Sequence, residues 1–158
     1  MKNTRIALLF CAIFGFVLPG FAQKNKSDDQ EAAIKTVIRH FFDGIEKGDT
    51  MALKSACAPE ILLQTFMANK DGKMELYTES FADLLNMVDG PREDKYEERI
   101  HIEGMHIEKS LANVWAPYTF YINGKRSHCG TDSFQLIKMP EGWKIQYILD
   151  TRRKQGCE

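Results

Sequence analysis

The sequence predicts an α+β domain in which helices lie on one face of a curved antiparallel sheet. Apolar residues recur at spacings of three and four in the first part of the chain, which is typical of amphipathic helices. From Tyr96 onward the hydrophobic period changes to two, which is typical of strands, and Asn123-Gly124 is a strong hairpin signal. The resulting order is helix, helix, two short strands, helix and four long strands.

The composition is that of one globular domain. Of the 158 residues, 44% are hydrophobic and 27% are charged. Lys and Arg number 21 against 22 Asp and Glu, so the formal net charge is −1, and no basic block occurs. Proteins that bind nucleic acids usually carry clusters of basic residues, which this sequence lacks, so we expect no nucleic-acid partner.

Residues 1–22 are predicted to be a cleaved signal peptide. Lys2 and Arg5 precede an apolar run over 6–18, and Gly20-Phe21-Ala22 has the small-x-small pattern of a signal-peptidase site. A membrane anchor is the alternative, but about 13 apolar residues fall short of the roughly 20 needed to cross a bilayer. We therefore expect an exported protein, periplasmic or extracellular, with a flexible leader over 23–28 and one domain over 29–158. After cleavage we expect no membrane association.

Two helices are predicted before the first strand. The first begins at Asp28 or Asp29 and ends at Gly48, and the second is capped by Asp49 and ended by Pro59. Their inward positions are Ile34, Val37, Ile38, Phe41, Phe42 and Ile45 in the first helix, and Leu53 and Cys57 in the second.

A third helix interrupts the strands. It opens at Ser80-x-x-Asp83, closes at Gly90-Pro91 and carries one apolar stripe that includes Leu84 and Val88. The predicted strands cover Ile61–Met67, Lys73–Tyr77, Tyr96–Ile107, Leu111–Ile122, Arg126–Met139 and Trp143–Arg152.

Several motifs punctuate this order. They are Glu46-Lys47-Gly48-Asp49, Ala58-Pro59-Glu60, Gly130-x-Asp132-x-Phe134-x-Leu136, Gly142-Trp143-Lys144-Ile145 and Asp150-Thr151-Arg152-Arg153. With these motifs, residues 29–152 resemble the nuclear transport factor 2-like superfamily, and in particular its exported bacterial lumazine-binding-like or polyketide-cyclase-like branch. The resemblance implies a cone-shaped domain with three N-terminal helices packed on one face of the sheet.

The resemblance leaves the activity open, because the superfamily includes isomerases, dehydratases, cyclases and transport factors. Its ketosteroid isomerases use a tyrosine on the first helix and a carboxylate base at the end of the first strand. Those positions fall near Phe41 and Gln64 here. Phe41 cannot donate a hydrogen bond to an oxyanion and Gln64 cannot accept a proton, so that mechanism is not expected.

The hairpin turns predict which residues share a face of the sheet. Without bulges, Thr119 lies opposite His128 and Trp115 lies opposite Asp132. The more apolar face is placed against the helices and is predicted to hold a ligand pocket. The predicted lining residues are Trp115, Tyr121, His128, Asp132, Tyr147 and Phe41. The alternative is that His128 and Asp132 satisfy each other or nearby backbone groups at the rim of the sheet.

The opposite face of the sheet is predicted to be the interface of a homodimer. It carries Val114, Tyr118, Phe120 and Ile148 in the bulge-free register, and soluble monomers avoid large exposed apolar patches. A solvated face is the alternative. The motif Asp150-Thr151-Arg152-Arg153 is expected to form a structural ion-pair cluster rather than a ligand site.

Three cysteines remain once the signal peptide is removed. Cys57 is expected to be a buried thiol, which leaves Cys129 and Cys157 as the predicted disulfide pair of an exported protein. Whether the bridge lies within or between subunits stays open. His101 and His106 are five residues apart on one predicted strand and so face opposite sides, and we expect no metal site.

These patterns predict an exported domain that binds a small apolar or aromatic ligand, without a cofactor and without a recognisable catalytic set. Two alternatives stay open. One is an isomerase- or dehydratase-like enzyme that uses His128 and Asp132 as acid and base. The other is a homodimeric interaction module with a filled core.

Overall fold

The computed structural model describes residues 26–89 and 92–157. Its helices are α1 (Lys26–Lys47), α2 (Thr50–Ala56) and α3 (Phe81–Asp89). The predicted signal peptide lies outside the described residues. Of the predicted leader, residues 26–28 form the start of α1. No helix among the described residues is long and apolar enough to span a bilayer.

The junction of α1 and α2 is a tight corner. Gly48 adopts a φ of +75°, and the backbone N–H of Asp49 donates to the carbonyl of Gly44 at 2.9 Å. The Asp49 carboxylate then accepts from two backbone N–H groups in the first turn of α2, at 3.0 and 2.9 Å. A Cβ at Gly44 would lie 2.9 Å from the backbone nitrogen of Leu53, so the two helices can approach this closely only at a glycine.

Seven strands form one curved, unclosed sheet. They are β1 (Cys57–Ala68), β2 (Met74–Glu79), β3 (Tyr96–Ile100), β4 (Gly104–Glu108), β5 (Leu111–Ile122), β6 (Lys125–Met139) and β7 (Gly142–Arg153). The order across the sheet is β2-β1-β7-β6-β5-β3, and β4 also pairs with β5. β1 runs parallel to β7, while the other pairs are antiparallel. The predicted α+β class, with three helices and a curved sheet, is confirmed.

The strand bounds differ most from the prediction at β1 and at the predicted strand Tyr96–Ile107, and by one or two residues at β2, β6 and β7. β1 begins at Cys57, which is therefore a strand residue rather than part of α2, although it is buried as expected. The predicted strand Tyr96–Ile107 is two strands that both pair with β5. Between β3 and β4, the three residues 101–103 lie opposite only two residues of β5, 116 and 117, because Ile100 pairs with Tyr118 and Gly104 with Trp115. The extra residue interrupts the ladder as a bulge does.

A bulge also shifts the hairpin of β5 and β6, so the predicted register is wrong. Ala116, not Trp115, pairs with Asp132, because one extra residue of β6 is inserted opposite the step between Phe120 and Tyr121. A second register shift lies between β6 and β7, where Gln135 pairs with Tyr147 but the next residue, Leu136, pairs with Ile145. A slip of one residue moves every side chain of a strand to the other face. The predicted face of β5 is therefore reversed relative to Asp132.

The core lies between the helices and the inward face of the sheet. Its buried members include Ile34, Ile38, Phe41, Val114, Ala116, Tyr118, Phe134, Leu136, Ile145 and Ile148. Val114, Tyr118, Phe120 and Ile148 were assigned above to a dimer interface. In the structure Val114, Tyr118 and Ile148 are buried on the inward face of the sheet, and Phe120 lies on the same side of β5, so that assignment of residues is wrong.

A disulfide joins Cys129 to Cys157 within the chain, with an S–S distance of 2.07 Å. This confirms the predicted pair. The bridge holds the end of the chain against β6, where the Arg126 guanidinium donates to the carbonyl of Cys157 at 3.1 Å. Cys57 is the free cysteine of the described residues, and burial raises the pKa of its thiol to about 12.

Candidate functional site

A cavity of about 560 Å³ lies between α1, α3 and the inward face of the sheet. Its walls are largely aromatic and aliphatic, and they include Phe41, Phe42, Leu84, Phe120, Phe134 and Ile148. A volume of this order and a mostly apolar lining are typical of sites for small organic molecules.

Three carboxyl side chains from three strands line the polar end of the cavity. They belong to Glu98 on β3, Asp132 on β6 and Asp150 on β7, and the two aspartates are direct partners in the sheet register. Asp132 is 4% exposed and Asp150 is 8% exposed, while Glu98 is partly buried. Buried carboxyl groups require partners because the loss of hydration is costly. Within the described residues, no group of three such side chains is arranged to hold a metal ion.

Asp150 obtains its partners from the protein itself. The hydroxyl of Thr65 donates to Oδ1, and the hydroxyl of Tyr118 lies 3.0 Å from Oδ2. The guanidinium of Arg152 forms an ion pair with Oδ2 at 3.6 Å. Asp150 is therefore satisfied by two hydroxyl groups and one cation from β1, β5 and β7.

A glycine lets Tyr118 reach Asp150. Tyr118 pairs with Gly130 across β5 and β6, and its hydroxyl also lies 3.0 Å from the carbonyl of Thr151. A Cβ at position 130 would lie 1.7 Å from that carbonyl oxygen and 2.7 Å from the ring of Tyr118. Only glycine leaves room for the ring to cross β6.

Glu98 and Asp132 are hydrogen-bonded to each other, which two carboxyl groups can do only when one of them is protonated. Burial raises the pKa of Glu98 to about 7. Burial, followed by the charges of Glu98 and Asp150, raises the pKa of Asp132 well above its ordinary value. Both shifts favour a pair that retains a proton near neutral pH. Apart from that proton, Asp132 Oδ2 has no hydrogen-bond donor among the described residues.

His128 forms an aromatic part of the cavity wall. Its ring stacks on Phe120, with centroids 4.9 Å apart, and meets the edge of Tyr118 at 5.8 Å. Burial, together with the positive charge of Arg152, lowers the pKa of His128 to about 4. The imidazole is therefore neutral at pH 7, and its Nδ1 lies 3.1 Å from the hydroxyl of Ser127.

The model of a family described as "Putative lumazine-binding" matches residues 29–147. The chain belongs to this family. A comparison with curated proteins gives no significant match.

Solved structures from several bacteria share the fold of this family member. A nuclear transport factor 2-like protein of unknown function from Shewanella baltica is 18% identical, with a TM-score of 0.62 over 82% of this chain and 98% of that one. A second, from Methylobacillus flagellatus, is 19% identical, with a TM-score of 0.58 over 82% and 96%. A third, from Silicibacter pomeroyi, is 12% identical, with a TM-score of 0.59 over 82% and 100%. The predicted superfamily and its lumazine-binding-like branch are confirmed.

The structure brings together only some of the residues predicted to line the pocket. Phe41, His128 and Asp132 line the cavity of this family member. Trp115 is 53% exposed on the outward face of the sheet. The guanidinium carbon of Arg99 lies 4.3 Å from the centroid of the Tyr121 ring, and the hydroxyl of Tyr147 donates to Gln64 at 2.7 Å. Neither tyrosine is among the residues that line the cavity. The two register shifts explain why only some of the predicted residues line the cavity. The shift between β5 and β6 turns Trp115 and Tyr121 away from the face of Asp132, and the shift between β6 and β7 does the same for Tyr147.

The prediction omitted Glu98, Asp150 and Arg152 from the pocket. A sequence signal for Glu98 exists, because it lies between Tyr96 and Ile100 on one face of a strand, where an apolar residue is the ordinary choice. The motif of Asp150 and Arg152 was interpreted as an ion-pair cluster. The pair does form, and it also lines the cavity.

Proposed function

We propose that this domain binds a small, largely apolar or aromatic organic molecule in the cavity between its helices and its sheet. The cavity of about 560 Å³, aromatic on its walls and polar at one end, is the observation that carries the proposal. The description of the family supports a small-molecule ligand. A cavity of this size also disfavours the alternative of an interaction module with a filled core.

Filling the cavity tests this function. Met87 of α3 lines the cavity and is 44% exposed, so the larger ring in Met87→Trp should narrow the cavity and weaken the binding of lumazine or 1-naphthylmethanol measured by calorimetry. Met51→Trp is the matched control, because Met51 is exposed on α2 away from the cavity. His128→Ala should weaken binding with little change in the melting temperature. Unchanged binding by Met87→Trp would contradict the proposal.

We propose further that the protein is exported, periplasmic or extracellular, after removal of residues 1–22. The disulfide between Cys129 and Cys157 supports an oxidising compartment. Sequencing the N-terminus of the protein recovered from the producing cells tests the cleavage after Ala22.

A second candidate function is proton-transfer catalysis of the isomerase or dehydratase type. The hydrogen-bonded pair of Glu98 and Asp132 favours it, since a carboxyl group that titrates near neutral pH suits general acid–base chemistry. In this arrangement the partner of Asp132 is Glu98 rather than the predicted His128. Chemical conversion of a bound ligand by the wild type, lost in Asp132→Asn with binding retained, would establish an enzyme.

A further inference from the structure

The polar end of the cavity has more hydrogen-bond acceptors than donors. The donors of Thr65 and Tyr118 are directed at Asp150, and Arg152 pairs with the same carboxylate. Asp132 Oδ2 is buried and lines the cavity without a donor from the described residues, apart from the proton shared with Glu98. A buried acceptor in this state is unfavourable unless a ligand supplies an N–H or O–H group.

The charges that face this end are also unbalanced. The titratable groups around the cavity are Glu79 on β2, Tyr96 and Glu98 on β3, Tyr118 on β5, His128 and Asp132 on β6, Asp150 and Arg152 on β7, and Lys154 beyond it. α1 and α3 contribute apolar side chains. Four carboxyl groups and two cations therefore line the cavity as a whole. With one proton on the pair of Glu98 and Asp132, three negative charges still face two positive ones, since the imidazole is neutral, and Arg152 is already paired with Asp150.

We propose that the ligand is an organic cation, an amine whose ammonium group donates to the carboxyl pair of Glu98 and Asp132 while its apolar body lies against Phe120 and Phe134. The inference rests on the function proposed above and names the ligand class for the same cavity. An ammonium ion supplies several hydrogen-bond donors and one positive charge in a single group. It therefore provides both the donor that Asp132 Oδ2 lacks and a positive charge for the surplus of carboxyl groups.

The affinity for an amine is expected to depend on pH. A positive ligand favours the ionised form of the carboxyl pair, so its affinity rises as the pH passes upward through about 7, where Glu98 loses its proton. A neutral ligand that donates a hydrogen bond gains no comparable advantage from ionisation of the pair. The pH profile therefore separates these two ligand classes.

Three probes of one shape test the inference by calorimetry at pH 5.5 and pH 8. They are 1-naphthylmethylamine, the neutral 1-naphthylmethanol and the anionic 1-naphthoic acid. We expect the amine to bind at least tenfold more tightly than the alcohol at pH 8, and this preference to shrink severalfold at pH 5.5. We expect the acid to bind most weakly.

Two variants and one control complete the test. Asp132→Asn and Glu98→Gln should each remove the preference for the amine and its pH dependence, while the alcohol still binds. Glu97→Gln is the matched control, because Glu97 is the neighbouring carboxylate on β3 and pairs with Arg99 at 2.6 Å outside the cavity lining. An alcohol that binds as tightly as the amine at pH 8 would overturn the cationic ligand and leave small-molecule binding intact. Failure of all three probes to bind would overturn both.

Discussion

At position 130 the absence of a side chain determines the hydrogen bonding of a buried carboxylate. Tyr118 crosses β6 over Gly130 to reach Asp150 and the carbonyl of Thr151. Without this contact Asp150, which is only 8% exposed, would lose one of its two hydroxyl partners. The glycine therefore supports the polar end of the cavity although it touches no ligand.

Gly130→Ala should lower the free energy of unfolding by about 3 kcal/mol or more, because the new Cβ overlaps the backbone of Thr151 and the ring of Tyr118. Urea unfolding at pH 7 measures the change. Gly104→Ala is a control in a strand on the other side of β5, where the nearest atom to a new Cβ lies 4.0 Å away. Equal stability of the two variants would contradict the packing described for Tyr118.

Glu98 should make the protein less stable as the pH rises. Its pKa is about 7 in the folded protein and 4.5 ordinarily, so the folded state holds a proton that the unfolded chain releases between these values. The contribution of the protonated group to stability is complete below about pH 4.5 and is lost as the pH rises through 7. We expect wild type to lose about 1–3 kcal/mol relative to Glu98→Gln between pH 5 and pH 8. Urea unfolding of both proteins checks this, and parallel pH profiles would refute it.

Among the elements, β6 brings the parts of the site together. It carries His128 and Asp132 into the cavity and is bonded to the end of the chain through Cys129. The same strand contains an extra residue opposite β5. The bulge, Gly130 and the disulfide thus all lie on β6. The bulge sets its register with β5, Gly130 leaves room for Tyr118, and the disulfide binds the end of the chain.

Cys157→Ser should release the last residues of the chain from β6. The bridge closes a loop with a sequence separation of 28, so its loss should lower the free energy of unfolding by about 2–4 kcal/mol. Thermal unfolding compared with that of the reduced wild type measures the effect, and the two should agree. Thiol titration of unreduced, unfolded protein spanning residues 23–158 should find one thiol, that of Cys57. Three thiols would contradict the bridge.

At the scale of the whole molecule, the outward face of the sheet is partly apolar. Register pairs place Trp115, Ser133, Leu149 and Gln64 in one row across it. Phe66 lies on the same side of β1, opposite Leu76 of β2, and both are substantially exposed. We propose that a homodimer forms through this outward face, which is the reverse of the face predicted from the bulge-free register.

Sedimentation at micromolar concentration should therefore show a dimer. Phe66→Glu and Trp115→Glu should each yield a folded monomer, because a charge in an apolar interface is costly to bury. Met51→Glu should leave the dimer intact, since Met51 is also an exposed apolar residue but lies on α2 rather than on the sheet. A monomeric wild type would disprove this assembly.

The types of element, their order, the disulfide and the family could all be predicted from the amino-acid sequence. Hydrophobic periodicity and turn residues act over a few neighbouring positions, so they predicted α1, the hairpin at Asn123-Gly124 and the extents of β5 and β7 closely. Cys129 and Cys157 followed from elimination, because Cys57 was expected in the core.

The set of residues that share the cavity could not be predicted from the sequence, because it depends on the register of the folded sheet. The period of two persists on either side of a bulge, so an inserted residue in β6 leaves no local trace while it reverses β5 relative to Asp132. Phe41, His128 and Asp132 were predicted in the pocket and line it. The meeting of Asp132 with Glu98 depends on β3 and β6 both flanking β5 in the correct register, and such long-range pairing is set by the packing of the whole sheet rather than by neighbouring residues.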